Sequence, residues 1–240
     1  MFFLRLKILI LRGKKNKMKL KLFIAALLIT SIGFAQKNLE AINIEKSILQ
    51  KAKRIGDPSV ASSSMYRLIA LEGENSTYKD SLAYMYFSAR QYAPCFMISS
   101  EVLNRDPNHV EMLEINGVSL ESLGAYTKAI ESYDKLYKIT KNNFHGYNLA
   151  KMQFSTKDYE TTYKTIQELE KLNDTGKYKV SYAINQNHNQ QIELLAAIAY
   201  LKGLTAIELD KKAEAKSSFE KAIKIQPDFV LAKEKLESLN

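Results

Sequence analysis

Residues 82–108, LAYMYFSARQYAPCFMISSEVLNRDPN, return 34 residues later as residues 116–142, NGVSLESLGAYTKAIESYDKLYKITKN. In each copy a small residue (Ala83, Gly117) is followed nine positions on by tyrosine (Tyr92, Tyr126) and twelve positions on by a second small residue (Cys95, Ala129). Internal similarity at this period marks stacked helical hairpins. The register extends to Ala150, 33 residues after Gly117, and then to Gly203, a further 53 on. The last interval is one repeat plus an insertion of about 19 residues. Tyr159 and Lys212 hold the ninth place in these later copies, with Lys212 breaking the aromatic rule, and Thr162 and Ala215 hold the twelfth.

The recurrence has a packing cause. Two antiparallel helices come within about 8 Å only where the facing side chains are small, and ridges then settle into grooves. Larger residues are expected in the next layers: Ser99, Tyr133, Ile166 and Phe219, then Val102, Leu136, Leu169 and Ala222. Pro107 and Pro227 end second helices, because proline cannot continue the hydrogen-bond ladder.

This pattern resembles the tetratricopeptide repeat over most of residues 42–240. The family's L-G-x2-Y, A-x3-F and closing P are matched by Gly203, by Ala215 with Phe219, and by Pro227; Gly117, Leu120, Ala129 and Tyr133 match as well. The unit over 76–109 keeps Ala83, Tyr86, Tyr92 and Pro107 but has Ser99 where an aromatic is usual. The resemblance implies an all-α, right-handed superhelix of about five helix-turn-helix hairpins plus a C-terminal capping helix. The units fall at 38–75 (degenerate, with Gly56, Asp57 and Pro58 as its turn), 76–109, 110–142, 143–176 and 196–229, with an insertion over 173–191 and a cap over 228–240. The layout is similar to exported tetratricopeptide-repeat proteins of flavobacteria-like (Bacteroidetes) bacteria.

Composition agrees with a folded helical chain. Of 240 residues 46% are hydrophobic and 25% charged, and only four are proline and nine glycine, too few for long linkers. The net charge of +9 sits almost wholly at one end: residues 1–35 hold eight basic side chains and no acid, leaving 27 basic against 26 acidic in the remainder. Binding nucleic acid by counterion release needs a basic face. The body has none, so nucleic acid is not an expected partner.

From Met18 the run MKLKLFIAALLITSIGFAQ has a basic start, an apolar stretch from Leu22 to Ile32, and small residues Gly33 and Ala35. That is the pattern of a secretory signal peptide, expected to be cleaved after Ala35, with residues 1–17 an upstream extension and Met18 the expected start. The apolar stretch is too short to cross hydrocarbon comfortably, so no stable membrane span is expected in the mature chain. An exported chain, in the periplasm, secreted or held at the envelope, follows. The alternative is an uncleaved membrane tether. Cys95 is the single cysteine, so no internal disulfide can form.

Within the insertion Tyr178, Val180, Tyr182 and Ile184 alternate with Lys179, Ser181 and Ala183, a strand-like period of two. A lone strand is unstable in water. It must lie against the helices, pair with something, or stay mobile. A loop packed on the helices by its aromatics is the favoured reading, and a strand offered to a partner's edge is the alternative.

Nothing in the sequence assembles a reaction centre. His109, His145 and His188 stand at expected turns or in the insertion and never at the i, i+4 spacing that puts two ligands on one helix face, so no metal is expected. Cys95 falls in a core slot and reads as a packing thiol. No phosphate loop, nucleophile elbow or dinucleotide fingerprint occurs, and no cofactor is expected. Glu111 with Glu114 reads as a solvated helix face. A non-catalytic scaffold remains, binding a protein or peptide partner in the groove that the resemblance lines with first helices. Its candidate residues are Asp80, Tyr84 and Phe87; Glu114, Val118 and Glu121; Tyr147, Lys151 and Phe154; and Tyr200, Leu204 and Ile207, the alternative being that several of these pack between repeats or are covered by the insertion. Acids in the first two sets disfavour a carboxylate ligand, so a neutral or basic tail is expected. The alternative class is a module of the envelope that binds a small molecule, glycan or peptide fragment through these aromatics.

Overall fold

The computed structural model describes residues 36–172 and 178–239. The N-terminal extension, the signal-like run and its expected cleavage point lie outside the described residues. The fold class is an all-α helical repeat, to which one β-hairpin is added. The chain divides into two compact units, Met1–Tyr78 and Lys79–Asn240.

In the first unit, helix α1 over residues 36–55 is followed by α2 (Pro58–Glu72). Pro58 opens α2, where its missing N–H is no loss, and the Asp57 carboxylate caps it by accepting from the backbone N–H groups of Ser59 (3.1 Å) and Val60 (3.0 Å). Leu49 and Ala52 of α1 and Ala61, Met65 and Leu68 of α2 are buried. Lys46 pairs with Glu72 (3.3 Å) and Arg67 with Glu45 (3.1 Å) across the two helices.

The second unit contains α3 (Tyr78–Ser88), α4 (Tyr92–Arg105), α5 (Val110–Ser122), α6 (Tyr126–Thr140), α7 (Asn143–Ser155), α8 (Tyr159–Leu169), strands β1 (Lys179–Asn185) and β2 (His188–Glu193), α9 (Leu194–Glu208), α10 (Lys212–Ile225) and α11 (Val230–Glu237). The residue nine after each small residue is the first of the second helix: Tyr92, Tyr126, Tyr159 and Lys212. Cys95, Ala129, Thr162 and Ala215 are fully enclosed, and so are both layers after them, Ser99, Tyr133, Ile166 and Phe219, then Val102, Leu136, Leu169 and Ala222.

A turn motif that the sequence reading did not find sets this register. Arg90, Gly124, Lys157 and Asp210, each seven after the small residue, adopt left-handed backbone with φ of 55°, 73°, 62° and 56°. Each turn makes the same pair of bonds, as in Arg90 N to Phe87 O (2.9 Å) with Gln91 N to Tyr86 O (2.9 Å), and Asp210 N to Ile207 O (3.0 Å) with Lys211 N to Ala206 O (2.8 Å). This is the Schellman closure, which satisfies carbonyls orphaned at a helix end. Glycine suits it, yet only Gly124 supplies one, so three turns use a strained residue and leave no glycine signal. In the first unit Gly56 (φ 73°) closes α1 likewise, through Gly56 N to Lys53 O and Asp57 N to Ala52 O. Its register therefore starts at Leu49, 34 residues before Ala83, with leucine where the other units have alanine or glycine.

The insertion corrects an expectation. In place of a lone strand or a packed loop it forms an antiparallel hairpin, Lys179 opposite Glu193 and Tyr182 opposite Gln190, with an irregularity between Ala183 and Asn185. It extends past the expected end at 191 to Glu193, and α9 begins directly after it. His145 is a second correction: it is buried inside α7, with Nδ1 2.8 Å from the Thr140 hydroxyl, and is no surface turn residue.

Two predictions follow from the packing. A Cβ added at Gly203 would stand 2.5 Å from Cε1 of the buried Phe219, and one at Gly117 would stand 2.9 Å from Tyr133. Gly203→Ala should therefore cost about 1–3 kcal/mol in denaturant unfolding and more than Gly117→Ala; equal stabilities would contradict this interface. Asn143, only 6% exposed, leaves both carboxamide atoms without a hydrogen bond, in the slot that Val110 and Ala196 fill elsewhere. Asn143→Leu should remove a burial cost of about 1–3 kcal/mol and raise the thermal midpoint followed by circular dichroism; a lower midpoint would refute it.

Candidate functional site

Three places on each first helix carry the candidate residues: three before the small residue, one after it, and four after it. At the first place stand Asp80, Glu114, Tyr147 and Tyr200, and the structure divides them two and two. Tyr147 and Tyr200 do not line an open groove and follow the alternative in which the insertion covers them. Both are buried, and the hairpin roofs them. The Tyr182 and Tyr147 hydroxyls lie 2.7 Å apart, Tyr182 meets Tyr200 edge-on at 5.6 Å, and Phe229 closes the cluster at 5.4 Å from Tyr182 and 4.9 Å from Tyr200. Tyr178 stacks on Phe144 of α7 at 4.7 Å.

The hairpin is held on its other side by two amides. Gln226, next to Pro227 in the turn between α10 and α11, accepts from Glu193 N (2.9 Å) and donates to Gln191 O (3.1 Å). Gln190 donates to Asp228 O (2.6 Å) and accepts from Val230 N (3.2 Å), capping α11. Sequence reasoning missed both glutamines. The segment HNQQIE has one apolar residue turned inward, Ile192, and its order comes from side-chain amides that no periodicity reveals.

Toward α3 and α5 the first-helix face stays open and acidic. Tyr84 is 40% exposed, and its hydroxyl is pushed above its ordinary value by partial burial and by the negative charges of Glu111, Asp80 and Glu114. Asp80 is held by Arg105 at 3.2 Å, whereas Glu114 has no basic side chain within salt-bridge distance among the described residues. Burial holds His145 below the usual histidine range, against the pull of Glu114. Phe87 is half-buried beside Tyr84 on α3.

The remaining candidates serve the fold. Glu121 accepts from the Tyr133 hydroxyl at 3.0 Å and pairs with Lys151 at 2.7 Å, tying α5 to α6 and α7. Val118, Leu204 and Ile207 pack on the core, and Phe154 meets Tyr159 edge-on at 5.4 Å. Cys95 is enclosed, and burial pushes its thiol up, so it is inert at neutral pH. Among the described residues no group of three or more His, Cys, Asp or Glu could hold a metal ion, and no helix is long and apolar enough to cross a membrane.

A stack of antiparallel helical hairpins at this period is the architecture of tetratricopeptide-type repeats. Residues 196–229 match the tetratricopeptide repeat family. Comparison with curated proteins returns no match. Among solved structures the chain is similar to a crystal structure of MamA protein (TM-score 0.56, 21% identity, 68% of this chain and 79% of that one). It is also similar to MamA 41-end from Desulfovibrio magneticus RS-1 (0.58, 15%, 79% and 97%). A third similar structure is YrrB, described as a TPR protein with an unusual peptide-binding site (0.63, 14%, 79% and 88%).

The roofed cluster predicts an alkaline transition. Burial pushes the Tyr147 hydroxyl up to about 12, against the hydrogen bond from Tyr182, and pushes Tyr182 well above its ordinary 10.0. The fold thus favours the neutral phenols. Their contribution to stability is complete below pH 10 and lost as pH rises toward 12. Absorbance titration should show a set of tyrosines that ionises only as helicity is lost, and Tyr147→Phe should reduce that set. Full ionisation near pH 10 with helicity intact would refute the roof.

Proposed function

We propose that this chain is a non-catalytic interaction scaffold that holds an extended neutral or basic peptide segment of a partner protein along the first-helix faces of α3 and α5. The observation that carries this is the exposed Tyr84, set among Glu111, Asp80 and Glu114 on a rigid repeat framework. An aromatic beside acids grips an aliphatic stem by its ring and a cationic head by charge. Of the residues read from the sequence, Asp80, Tyr84, Phe87 and Glu114 form this site, and Val118 and Glu121 border it. The description of YrrB as having a peptide-binding site supports the class of ligand. The N-terminal run from Met18 supports export to the periplasm after cleavage behind Ala35, and N-terminal sequencing of the mature chain tests that part.

A peptide array graded in net charge tests the binding. Retention should rise with positive charge and fall with added salt. Tyr84→Ala and Glu114→Gln should each weaken the best binder about tenfold without change in helicity. Equal retention of acidic and basic peptides would remove the proposal.

A further inference from the structure

Two of the chain's three histidines, His109 and His145, lie beside the acids that surround Tyr84. His109, the residue before α5, holds Nδ1 3.2 Å from the Glu111 carboxylate, an ion pair whenever the ring is protonated. The contact is not aligned as a hydrogen bond, so the neutral ring gains none from it. His145, in the first turn of α7, feels the charge of Glu114 on α5. Glu111 and Glu114 are the same two carboxylates that, with Asp80, push up the Tyr84 hydroxyl. One cluster of titratable groups therefore spans α3, α5 and the start of α7, and it contains both the candidate cation-binding acids and two groups that become cations in acid.

Local bonding fixes which nitrogen of His145 takes up a proton. The Thr140 hydroxyl donates to Leu136 O (2.8 Å), so at His145 Nδ1 (2.8 Å) it accepts, and Nδ1 carries the hydrogen. Nε2 is then the bare nitrogen, and it makes no hydrogen bond among the described residues. A proton added there breaks no bond, so the ring can charge with the fold intact. Burial keeps His145 neutral at pH 7, and it charges as pH falls below the ordinary histidine value of 6.5. Around His109, the end of α4 brings Arg105, held by Asp80 (3.2 Å), and Asp106, which accepts from Asn108 N (3.2 Å). Around α7, Lys141 lies over the Tyr137 ring (5.4 Å), Glu168 of α8 acts on Tyr137, Lys202 of α9 is held by Glu170 (2.6 Å), and Lys179 of β1 is exposed.

We infer that His109 and His145 form a pH gate on the groove: protonated in acid, they neutralise Glu111 and Glu114 and release the basic segment that binds while they are neutral. The inference rests on the groove reading for the class of ligand and adds the groups that regulate it. Histidine is the side chain whose charge changes between about pH 5 and 8. A cation placed beside a carboxylate weakens the field that attracts a second one. By linkage the coupling runs both ways, so a bound lysine beside Glu111 and Glu114 makes both rings harder to protonate.

The probe is a peptide with blocked ends that alternates lysine with valine, and its affinity for the full chain is measured by calorimetry at about pH 7.5 and about pH 5.5, at constant ionic strength. Affinity should fall about tenfold toward the lower pH. Both conditions lie above the range in which carboxylates ordinarily titrate. Proton resonance of the imidazole C–H groups gives the converse. The peptide should lower the titration midpoints of His109 and His145 by about one pH unit in total, while His188 on the hairpin keeps its own. This second readout uses the unaltered chain and does not depend on the folding of any variant. In the double variant His109→Asn with His145→Asn, whose amide still offers Thr140 a donor, most of the fall in affinity should disappear. Equal affinity at the two pH values, with both histidine midpoints unmoved by the peptide, would overturn the gate and leave the groove reading in place. A fall of the same size in the double variant would overturn the role of the histidines. No binding of the peptide at either pH would overturn the groove reading and the gate with it.

Discussion

Everything in the second unit depends on how closely two helices of a hairpin can approach, and that distance is set by one pair of positions sixteen residues apart. Gly203 faces the ring of Phe219, and Gly117 faces the ring of Tyr133, each so near that a methyl group does not fit. Where the first position is alanine, the second is smaller or aliphatic: Ser99 after Ala83, Ile166 after Ala150. In the first unit leucine at 49 is matched by Met65. A ring at the second position requires glycine at the first, because close packing leaves no room for a methyl group there, whereas the remaining pairs differ in total size.

That rule made the helical part of the fold readable from one sequence. Small residues at regular intervals, enclosed layers twelve, sixteen and nineteen positions on, and prolines after second helices all express a volume constraint, and volume is written in residue type. The degenerate first unit was harder, because Leu49 hides the register that its turn preserves. The four left-handed turns were not readable for a related reason. A Schellman closure demands a backbone conformation, and with Arg90, Lys157 and Asp210 in the strained place the demand is met by hydrogen bonds and not by residue type.

The site was half readable. Position three before the small residue lies on the first helix of each hairpin, but its fate depends on chemistry contributed from far along the chain. Asp80 and Glu114 stay half-buried and uncovered by the hairpin, whereas Tyr147 and Tyr200 offer flat apolar rings with a hydroxyl at the rim. Such a pair is costly to leave in water and easy to satisfy with another tyrosine. Tyr182 does so, and the hairpin that carries it is the answer to those two residues. The alternation around Tyr182 revealed one strand. The second strand, ordered by Gln190 and Gln226, had no such pattern to reveal it.

Stacked repeats ordinarily behave as a one-dimensional chain, each unit stabilised by its immediate neighbours and free to fray from an end. The hairpin breaks that independence. By resting on α7 and α9 while its β2 edge caps α11 through Gln190, it joins three successive layers with contacts that skip along the chain. The C-terminal repeats are thereby fused into one cooperative block whose last helix cannot peel away without lifting the hairpin. Within the second unit, α3 and α4 have no such staple among the described residues, and fraying is expected to start there.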